Sequence, residues 1–236
     1  DYLTNHLHKV EQGAGEALEA TVGVTRTGAH QTRTESDKAH GTLTSANAGK
    51  FEVDAALNNR VIDSGDSFKL WDGQSLTKAG AGTLLVSAVQ EYTGNTVVNG
   101  GTLLLSAQDA IASSASVSIS SGGTLGFSGS QGQQVNNLSG NGTLDLGPAA
   151  ATLRNTAASS FSGGREGSGR IIKDGPENLT LAGAGSFSGG TTVSEGSLTA
   201  QNASALGSGE VLVETGLILS LTLAAGERLQ TLCWAA

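Results

Sequence analysis

The chain has 236 residues, of which 35 are glycine and two are proline, and aromatic residues make up 4%. Two prolines are too few for collagen or for a proline-glycine linker, although the glycine content is about twice the usual one. The formal net charge is −8 and no Lys/Arg cluster occurs. We therefore expect no nucleic-acid partner, because phosphate binding needs a basic face.

Cysteine content and hydropathy narrow the possible class of protein further. The single cysteine, Cys233, excludes a disulfide framework within the chain. The most notable apolar stretch runs from Leu217 to Ala225, is too short to span a bilayer and is interrupted by Ser220 and Thr222. We expect no membrane insertion of this segment. The sequence starts at Asp1 without a signal-peptide pattern, which is compatible with a processed or excised fragment.

Residues 1–70 are predicted to form an irregular, β-rich N-terminal region or a cap. The spacing of apolar residues between Leu3 and Ala17 favours a helix, which Gly13 and Gly15 weaken by about 1 kcal/mol each. Short strands are predicted further on, at residues 51–53, 60–62 and 68–70. A stack of strands exposes unpaired backbone at its end, so a cap is expected there.

Residues 71–221 are predicted to form one regular body, because a long pattern occurs in it twice. The stretch Leu76–Ile111 returns 95 residues later as Ile171–Leu206, with Lys78 matching Lys173 and Tyr92 matching Phe187. A shorter period runs inside it: Gly-Thr/Ser-Leu triplets begin at Gly82, Gly101, Gly123, Gly142 and Gly196. A period near 20 residues is too short for a helix-pair repeat or a propeller blade and suits one coil of a parallel β-solenoid. The fold class predicted is therefore all-β.

Short alternating runs predict the strands of each coil, and glycine-rich corners separate them. The predicted strands are Thr83–Ser87, Thr96–Asn99, Thr102–Leu105, Ser116–Ile119, Thr124–Phe127 and Thr143–Leu146. At about 20 residues per coil, the body should hold roughly seven to eight coils, stacked about 4.8 Å apart. The residues predicted to point inward are Leu84, Val86, Val98, Leu103, Leu105, Val117, Ile119, Leu125, Phe127, Leu138, Leu144, Leu146, Leu179, Leu181, Val193, Leu198, Val211, Val213 and Leu217.

Two stretches fit the pattern less well. Residues 148–169 are rich in Ala, Ser and Gly, and we predict a loosely patterned coil there with Phe161 as its apolar anchor. Residues 222–236 match neither the repeat nor a strand series, and they are predicted to be a non-repeat C-terminal tail, either non-native or a short helix.

The two long units resemble the passenger-associated repeat of bacterial autotransporters over roughly residues 74–220. The sequence motifs that carry this resemblance are Lys78-Ala-Gly-Ala-Gly-Thr-Leu, Tyr92-Thr-Gly-Asn-Thr-Val-Val, Gly101-Thr-Leu-Leu-Leu, Phe187-Ser-Gly-Gly-Thr-Thr-Val, Gly196-Ser-Leu and Ala205-Leu-Gly. The resemblance implies a right-handed parallel β-helix (a β-solenoid), exported across the outer membrane through the protein's own C-terminal β-barrel, which lies outside this chain. It also implies a cell-surface or secreted location. Because such stems carry adhesins, proteases and esterases alike, it is a weak guide to activity.

Three fragments resemble catalytic motifs and are interpreted as turns. His40-Gly41-Thr42 and Asp63-Ser64-Gly65 resemble the His and Asp motifs of subtilisin-like proteases, but their order is reversed and a nucleophile motif is missing. Gly65-Asp66-Ser67 resembles chymotrypsin-like and GDSL-esterase nucleophiles, but Phe68 follows and no histidine comes after His40. A serine nucleophile needs a base within hydrogen-bonding reach. Asp, Ser and Gly are ordinary turn residues.

No metal, cofactor or catalytic site is predicted. His6 and His8 could share one face of a strand, but no further ligands complete a set. Tyr92 and Phe187 are predicted to be stacked core or corner residues rather than ligand platforms. A carbohydrate-active β-helix would need clustered carboxylates, whereas those of the body are scattered: Asp109, Asp145, Glu166, Asp174, Glu177, Glu195, Glu210 and Glu214.

The function expected is that of a non-catalytic β-helical passenger segment, a rigid stalk that adheres to host surfaces or to like passengers on neighbouring cells. Because solenoids fold coil by coil, we also expect the regular C-terminal part to nucleate folding during secretion. The alternative is the stem of an autotransporter serine protease or esterase whose catalytic domain lies outside this chain.

Overall fold

The computed structural model describes residues 9–11, 41–44, 50–54, 56, 57, 59 and 74–223. These residues contain strands and no helix, as the all-β prediction requires. The strands are β1 (Lys9–Glu11), β2 (Gly41–Thr44), β3 (Lys50–Val53), β4 (Leu76–Ala79), β5 (Thr83–Val86), β6 (Asn95–Val98), β7 (Gly101–Leu105), β8 (Ser116–Ile119), β9 (Gly123–Phe127), β10 (Gln133–Asn136), β11 (Ser139–Gly140), β12 (Thr143–Asp145), β13 (Ala151–Arg154), β14 (Ser159–Phe161), β15 (Gly164–Glu166), β16 (Ile171–Asp174), β17 (Asn178–Leu181), β18 (Thr191–Val193), β19 (Ser197–Ala200), β20 (Val211–Val213) and β21 (Ile218–Leu221).

Three sheets form the sides of a solenoid. Sheet A has the order β1-β3-β5-β7-β9-β12-β15, sheet B the order β2-β4-β6-β8-β11-β14-β17-β19-β21, and sheet C the order β10-β13-β16-β18-β20. Every pairing is parallel except that of β1 with β3. Sheet B passes from β4 to β21 in seven steps, so the body has about seven coils. The predicted parallel β-helix is therefore confirmed.

The coils differ in which side carries a loop. In the middle of the chain each coil passes through sheets B, A and C in turn, as β8, β9 and β10 do. Before that point loops 87–94 and 106–115 replace the strand of sheet C, and after it loops 182–190 and 201–210 replace the strand of sheet A. Sheet B alone continues through every coil.

The two copies of the long repeat lie on different sides of the solenoid. Leu84 lies in sheet A, whereas its counterpart Leu179 lies in sheet B. From Leu84 the register climbs four coils, through Leu103, Leu125 and Leu144 to Arg165, before the chain crosses sheet C and reaches Leu179 in sheet B. The spacing of 95 residues therefore equals four and two-thirds coils of about 20 residues. The second copy is consequently turned about the solenoid axis relative to the first.

The core is a narrow column of stacked aliphatic side chains. Leu84, Leu103, Leu125 and Leu144 follow one another in register in sheet A, and all four are buried. Every residue predicted to point inward is buried except Leu217, which is half-buried against the core because it lies in the last described coil. Period-two burial along the strands is the direct result of the alternation in the sequence.

The stretch 148–169 is more regular than its composition predicts. It contains β13, β14 and β15, each paired with strands of the coils on both sides or with an isolated bridge. Phe161 is fully buried there, as predicted for its apolar anchor. Backbone pairing continues through this coil, and Ala151, Leu153 and Phe161 are buried in the core.

At the N-terminal side, β2 and β3 pair in parallel with β4 and β5 and so continue sheets B and A upstream of residue 71. The helical prediction is wrong at Lys9–Glu11, which form β1 and pair antiparallel with β3. Backbone pairing overrides the local spacing signal, as is common where glycines weaken a helix. The predicted boundaries 1–70, 71–221 and 222–236 stay predictions, and most of the first and last ranges lie outside the described residues.

Candidate interaction surface and buried lysine cages

Sheet B presents an outer face without charge. The outward side chains of its strands β4 to β21 are uncharged and mostly short, and each row continues from coil to coil. Thr77 at one end is buried, and Ile218 at the other end is a large exposed apolar side chain. The central row consists of Thr77, Val97, Ser118, Ser139, Ser160, Thr180, Thr199 and Ser220. We call this surface the sheet B face. It is the longest continuous surface on the described part of the chain.

The outer faces of the other two sheets carry charge. Glu52, Asp145 and Glu166 point outward from sheet A, and Asp145 pairs in register with Glu166. Arg154 and Asp174 point outward from sheet C, where an ion pair of 3.7 Å joins them across one coil. The uncharged sheet B face thus stands out on a chain with a net charge of −8.

Hydrogen bonds between coils hold the polar side chains of the sheet B face in place. The Ser116 hydroxyl donates to Asn95 Oδ1 at 2.9 Å. Four coils further on, the hydroxyls of Ser197 and Thr199 donate to Asn178 Oδ1 at 3.0 and 3.1 Å. Side chains fixed in this way lose little further conformational entropy when a partner binds.

Beneath the sheets, Lys78 is an inward-pointing cation of β4 and is 1% exposed. Its ammonium group donates to the carbonyl oxygens of Ala79, Gly80 and Gly100 at 2.8, 2.8 and 2.9 Å. Gly80 adopts φ 74°, a conformation that a residue with a Cβ rarely takes, and this turns its carbonyl inward. We call this arrangement the first lysine cage.

The second copy of the repeat builds the same cage. Lys173 of β16 is fully buried and donates to the carbonyl oxygens of Asp174, Gly175 and Glu195 at 2.9, 2.7 and 3.1 Å. Each of these three acceptors lies 95 residues after its counterpart in the first cage. Gly175 repeats the positive φ of Gly80, at 82°.

The cages differ in the charges around them. Burial lowers the pKa of Lys78 to about 8. Burial also lowers the pKa of Lys173, but Asp174, Glu195 and Glu177 oppose this shift through their negative charge. The corresponding residues near the first cage are Ala79, Gly100 and Gly82, which carry no charge. Among the described residues, the ammonium of the first cage therefore has only carbonyl dipoles to stabilise it.

Arg165 is a third buried cation, and it occupies the aliphatic column directly after Leu144. Its guanidinium donates to the carbonyl oxygens of Gly163 and Gly183 and lies 5.9 Å from the centroid of the Phe161 ring. Burial lowers its pKa to about 10. No bonded partner reaches its Nε atom, so the site is only partly satisfied and is costly to build.

The two aromatic positions of the repeat are core positions, as predicted: Tyr92 and Phe187 are both fully buried. The Tyr92 hydroxyl lies 2.6 Å from Thr96 Oγ1, which donates to Ser114 Oγ at 2.9 Å. In the second copy Phe187 has no hydroxyl, and the Thr191 hydroxyl donates to the Leu206 carbonyl at 3.0 Å instead. Each copy thus satisfies its buried threonine in its own way.

Sequence reasoning placed Lys78 and Lys173 at matching positions but did not place them inside the solenoid. The available signal was their phase, since Leu76 and Lys78, like Ile171 and Lys173, are two residues apart on strands with alternating burial. Arg165 gave no comparable signal, because its match 95 residues upstream is a leucine.

The fragments that resemble catalytic motifs lie mostly outside the described residues. This applies to His6, His8, His40 and residues 63–67, while Gly41 and Thr42 form the start of β2. In the part of the chain that the structure describes, no three His, Cys, Asp or Glu residues are grouped to hold a metal ion. Over the same residues, no helix is long and apolar enough to cross a membrane.

The structure is a parallel β-solenoid of about seven coils with two copies of one repeat and an interior of stacked aliphatics, which is the fold that the resemblance to passenger-associated repeats implies. A family model, the passenger-associated-transport-repeat, matches residues 76–105 and 171–200. The chain is also 38% identical over 130 residues to an adhesin BmaC autotransporter of Brucella suis biovar 1 (strain 1330).

That match covers 54% of this chain and 4% of the adhesin, so the chain spans a small part of its relative. Both comparisons agree with the repeat seen in the fold, and the chain is an autotransporter passenger segment with passenger-associated repeats. It is accordingly a cell-surface or secreted protein, exported through the bacterial outer membrane.

Proposed function

We propose that this segment is a non-catalytic, rigid stalk that associates through the sheet B face with a second copy of the same chain. The observation that carries the proposal is the uncharged sheet B face, which continues through all seven coils. The relative is named an adhesin, which favours a role in contact between surfaces. A host surface is a further proposed partner on that ground alone.

Rigidity follows from the coil-to-coil ladder. Each strand of the body is joined to neighbours by parallel backbone hydrogen bonds, and the corners add further bonds, such as Asn99 N–H to the Lys78 carbonyl at 2.8 Å. Bending the stalk would break several such bonds at once on one side. A solenoid of this kind can hold a surface at a fixed distance from the membrane.

Charge favours pairing through sheet B over pairing through the other sides. Two copies with a net charge of −8 repel each other, and opposing Asp145 or Glu166 side chains would add to this cost. Seven steps of about 4.8 Å and strands about 13 Å wide give roughly 450 Å² per copy. The resulting interface of about 900 Å² is weak for one pair and becomes effective when many copies act together.

The full-length protein should also have its own C-terminal outer-membrane β-barrel as a partner, since the matched repeat family consists of transported passengers. We further propose that the regular C-terminal coils nucleate folding during export. Stacked repeats fold by propagation from a stable unit, and β16 to β21 form an unbroken set of paired strands.

The pairing is tested by placing charge on single faces. Ser118→Glu and Thr180→Glu add a carboxylate to the sheet B face, whereas Thr124→Glu and Thr192→Glu add the same charge to sheets A and C. Sedimentation over a range of concentrations should show weak self-association that the two sheet B variants lose and the two controls keep. A wild-type chain that stays monomeric at every concentration, or an equal loss in all four variants, would refute the pairing through sheet B.

A further inference from the structure

We propose that Asn99 is a site of spontaneous deamidation, and that the carboxylate formed there supplies the negative charge that the first lysine cage lacks. The inference rests on the chemistry of one corner and on the comparison of the two cages. It does not depend on the proposed self-association.

The chain has two Asn-Gly pairs in its regular body, Asn99-Gly100 and Asn141-Gly142. In such a pair the glycine nitrogen attacks the asparagine Cγ, the new N–Cγ bond closes a succinimide ring, and ammonia leaves. Water then opens the ring at either carbonyl and gives aspartate or isoaspartate. Water is the co-reactant and no oxidant or reductant takes part. Glycine allows this attack because no Cβ shields its nitrogen.

The corner at Asn99 is open to this reaction. The Asn99 side chain is exposed, and the Ser120 hydroxyl donates to its Oδ1 atom at 3.0 Å. That hydrogen bond withdraws electrons from Cγ and stabilises the oxygen as negative charge develops on it. Among the described residues, no acceptor is bonded to the Gly100 N–H, so the attacking nitrogen gives up no hydrogen bond.

The corner at Asn141 is closed to it. The N–H groups of Asn141 and Gly142 both donate to the Ile119 carbonyl at 2.9 Å. Gly142 is buried, and an atom added at its Cβ position would lie 2.4 Å from the Ser120 carbonyl oxygen. The attacking nitrogen would have to break its hydrogen bond and move within a packed corner. The Asn141-Gly142 pair, two coils further along the solenoid, is therefore protected from deamidation.

The product would change the first lysine cage. Asn99 directly precedes Gly100, whose carbonyl accepts from the Lys78 ammonium, and its own N–H donates to the Lys78 carbonyl. In the second cage the residue matching Gly100 is Glu195, whose carboxylate accepts from the Gly175 N–H at 3.0 Å. An aspartate at position 99 would place a negative charge one residue before Gly100, whereas the second cage carries its carboxylate on Glu195, the match of Gly100 itself.

The rate is tested on the whole chain by incubation at mildly alkaline pH, followed by peptide mass analysis of the amide-to-acid conversion. Asn99 should convert at least about five-fold faster than Asn141, the rate equivalent of one net hydrogen bond. Ser120→Ala should slow the reaction at Asn99, and Gly100→Ala should slow it strongly because the added Cβ shields the attacking nitrogen. The Cβ added at position 100 would make only an ordinary contact with the Gly80 carbonyl oxygen, at 3.5 Å, so this variant should fold.

Denaturant supplies the control for the role of the fold. In the unfolded chain both Asn-Gly pairs should convert at similar rates. Equal conversion of Asn99 and Asn141 in the folded chain, or no conversion of Asn99 while the unfolded chain reacts, would overturn the proposed site. For the effect on the cage, Asn99→Asp should raise the pKa of Lys78 relative to Asn99→Gln, as read by NMR of the labelled lysine. An unchanged Lys78 pKa would overturn the second half of the proposal.

Discussion

Lys78 and Lys173 lie on different sheets of the solenoid, yet their ammonium groups donate to the same three carbonyl positions of the repeat. Turning the repeat by two-thirds of a coil leaves the cage intact because all of its parts are local. The acceptors come from the two residues after each lysine and from the corner of the next coil. The repeat therefore specifies a corner, and the corner can be used on any side of the solenoid.

Removing either cage lysine should destabilise the fold. Lys173→Met keeps an unbranched side chain of similar length but removes the ammonium donor from the Gly175 and Glu195 carbonyls, while the Asp174 carbonyl keeps only the Asn155 N–H. We expect a loss of about 3 kcal/mol in the free energy of unfolding. Lys50→Met is the matched control, because Lys50 is exposed and should change stability by less than about 0.5 kcal/mol. Urea denaturation followed by circular dichroism measures both. Equal stability of the two variants would contradict the structural role of the cage.

The free energy of unfolding should depend on pH in the alkaline range, and the lowered pKa of Lys78 determines whether it rises or falls. Burial lowers the pKa of Lys78 from 10.5 to about 8, so between these values the unfolded chain binds more protons than the folded chain. The free energy of unfolding should therefore rise as the pH goes from about 8 to 10.5. Urea midpoints measured across this range should show the rise in the wild type and a smaller one in Lys78→Met.

Ionisation of Tyr92 should end the rise in stability with pH. Burial raises the pKa of the Tyr92 hydroxyl above its ordinary value of 10.0, so the folded chain keeps that proton after the unfolded chain has lost it. Stability from this group is present below pH 10 and falls as the pH rises further. Tyr92→Phe should remove the fall while leaving the rise from Lys78 in place. A wild-type stability that declines steadily from pH 8 would show that the Lys78 assignment is wrong.

The coil, its strands and its aliphatic interior could be predicted because each follows from a short repeat in the sequence. Alternation placed Leu103 and Leu125 inside, and the Gly-Thr-Leu spacing gave the coil length. The rotation between the repeats could not be predicted, since it depends on where the chain uses three strands per coil and where it uses two. Burial of Lys78 was missed for a different reason: its phase on β4 was the available signal, but its partners are backbone carbonyls, so no acidic residue marks them in the sequence.

The aliphatic column itself should be sensitive to charge in a way that the surface is not. Leu103 is fully buried between coils, whereas Gln108 lies exposed in the loop that follows β7. Leu103→Asp removes about 1.5 to 3 kcal/mol of burial and also places an unpaired carboxylate in the core, so it should break the coil. Gln108→Asp should leave the unfolding midpoint almost unchanged. If thermal unfolding found the two variants equally stable, the inward assignment of Leu103 would be wrong.

The order of folding can be tested by truncation from either end. Removing residues 171–221 deletes β16 to β21 together with the second cage, whose ammonium has acidic neighbours that the first cage lacks. If these coils nucleate folding, the remaining coils should refold from denaturant much more slowly or not at all, because the first coil to form has no neighbour to stack on. Removing residues 1–70 is the control and should leave the refolding rate of the body nearly unchanged. Stopped-flow measurement of both truncations decides the matter, since equal slowing would place the nucleus in the central coils, where all three sheets are present.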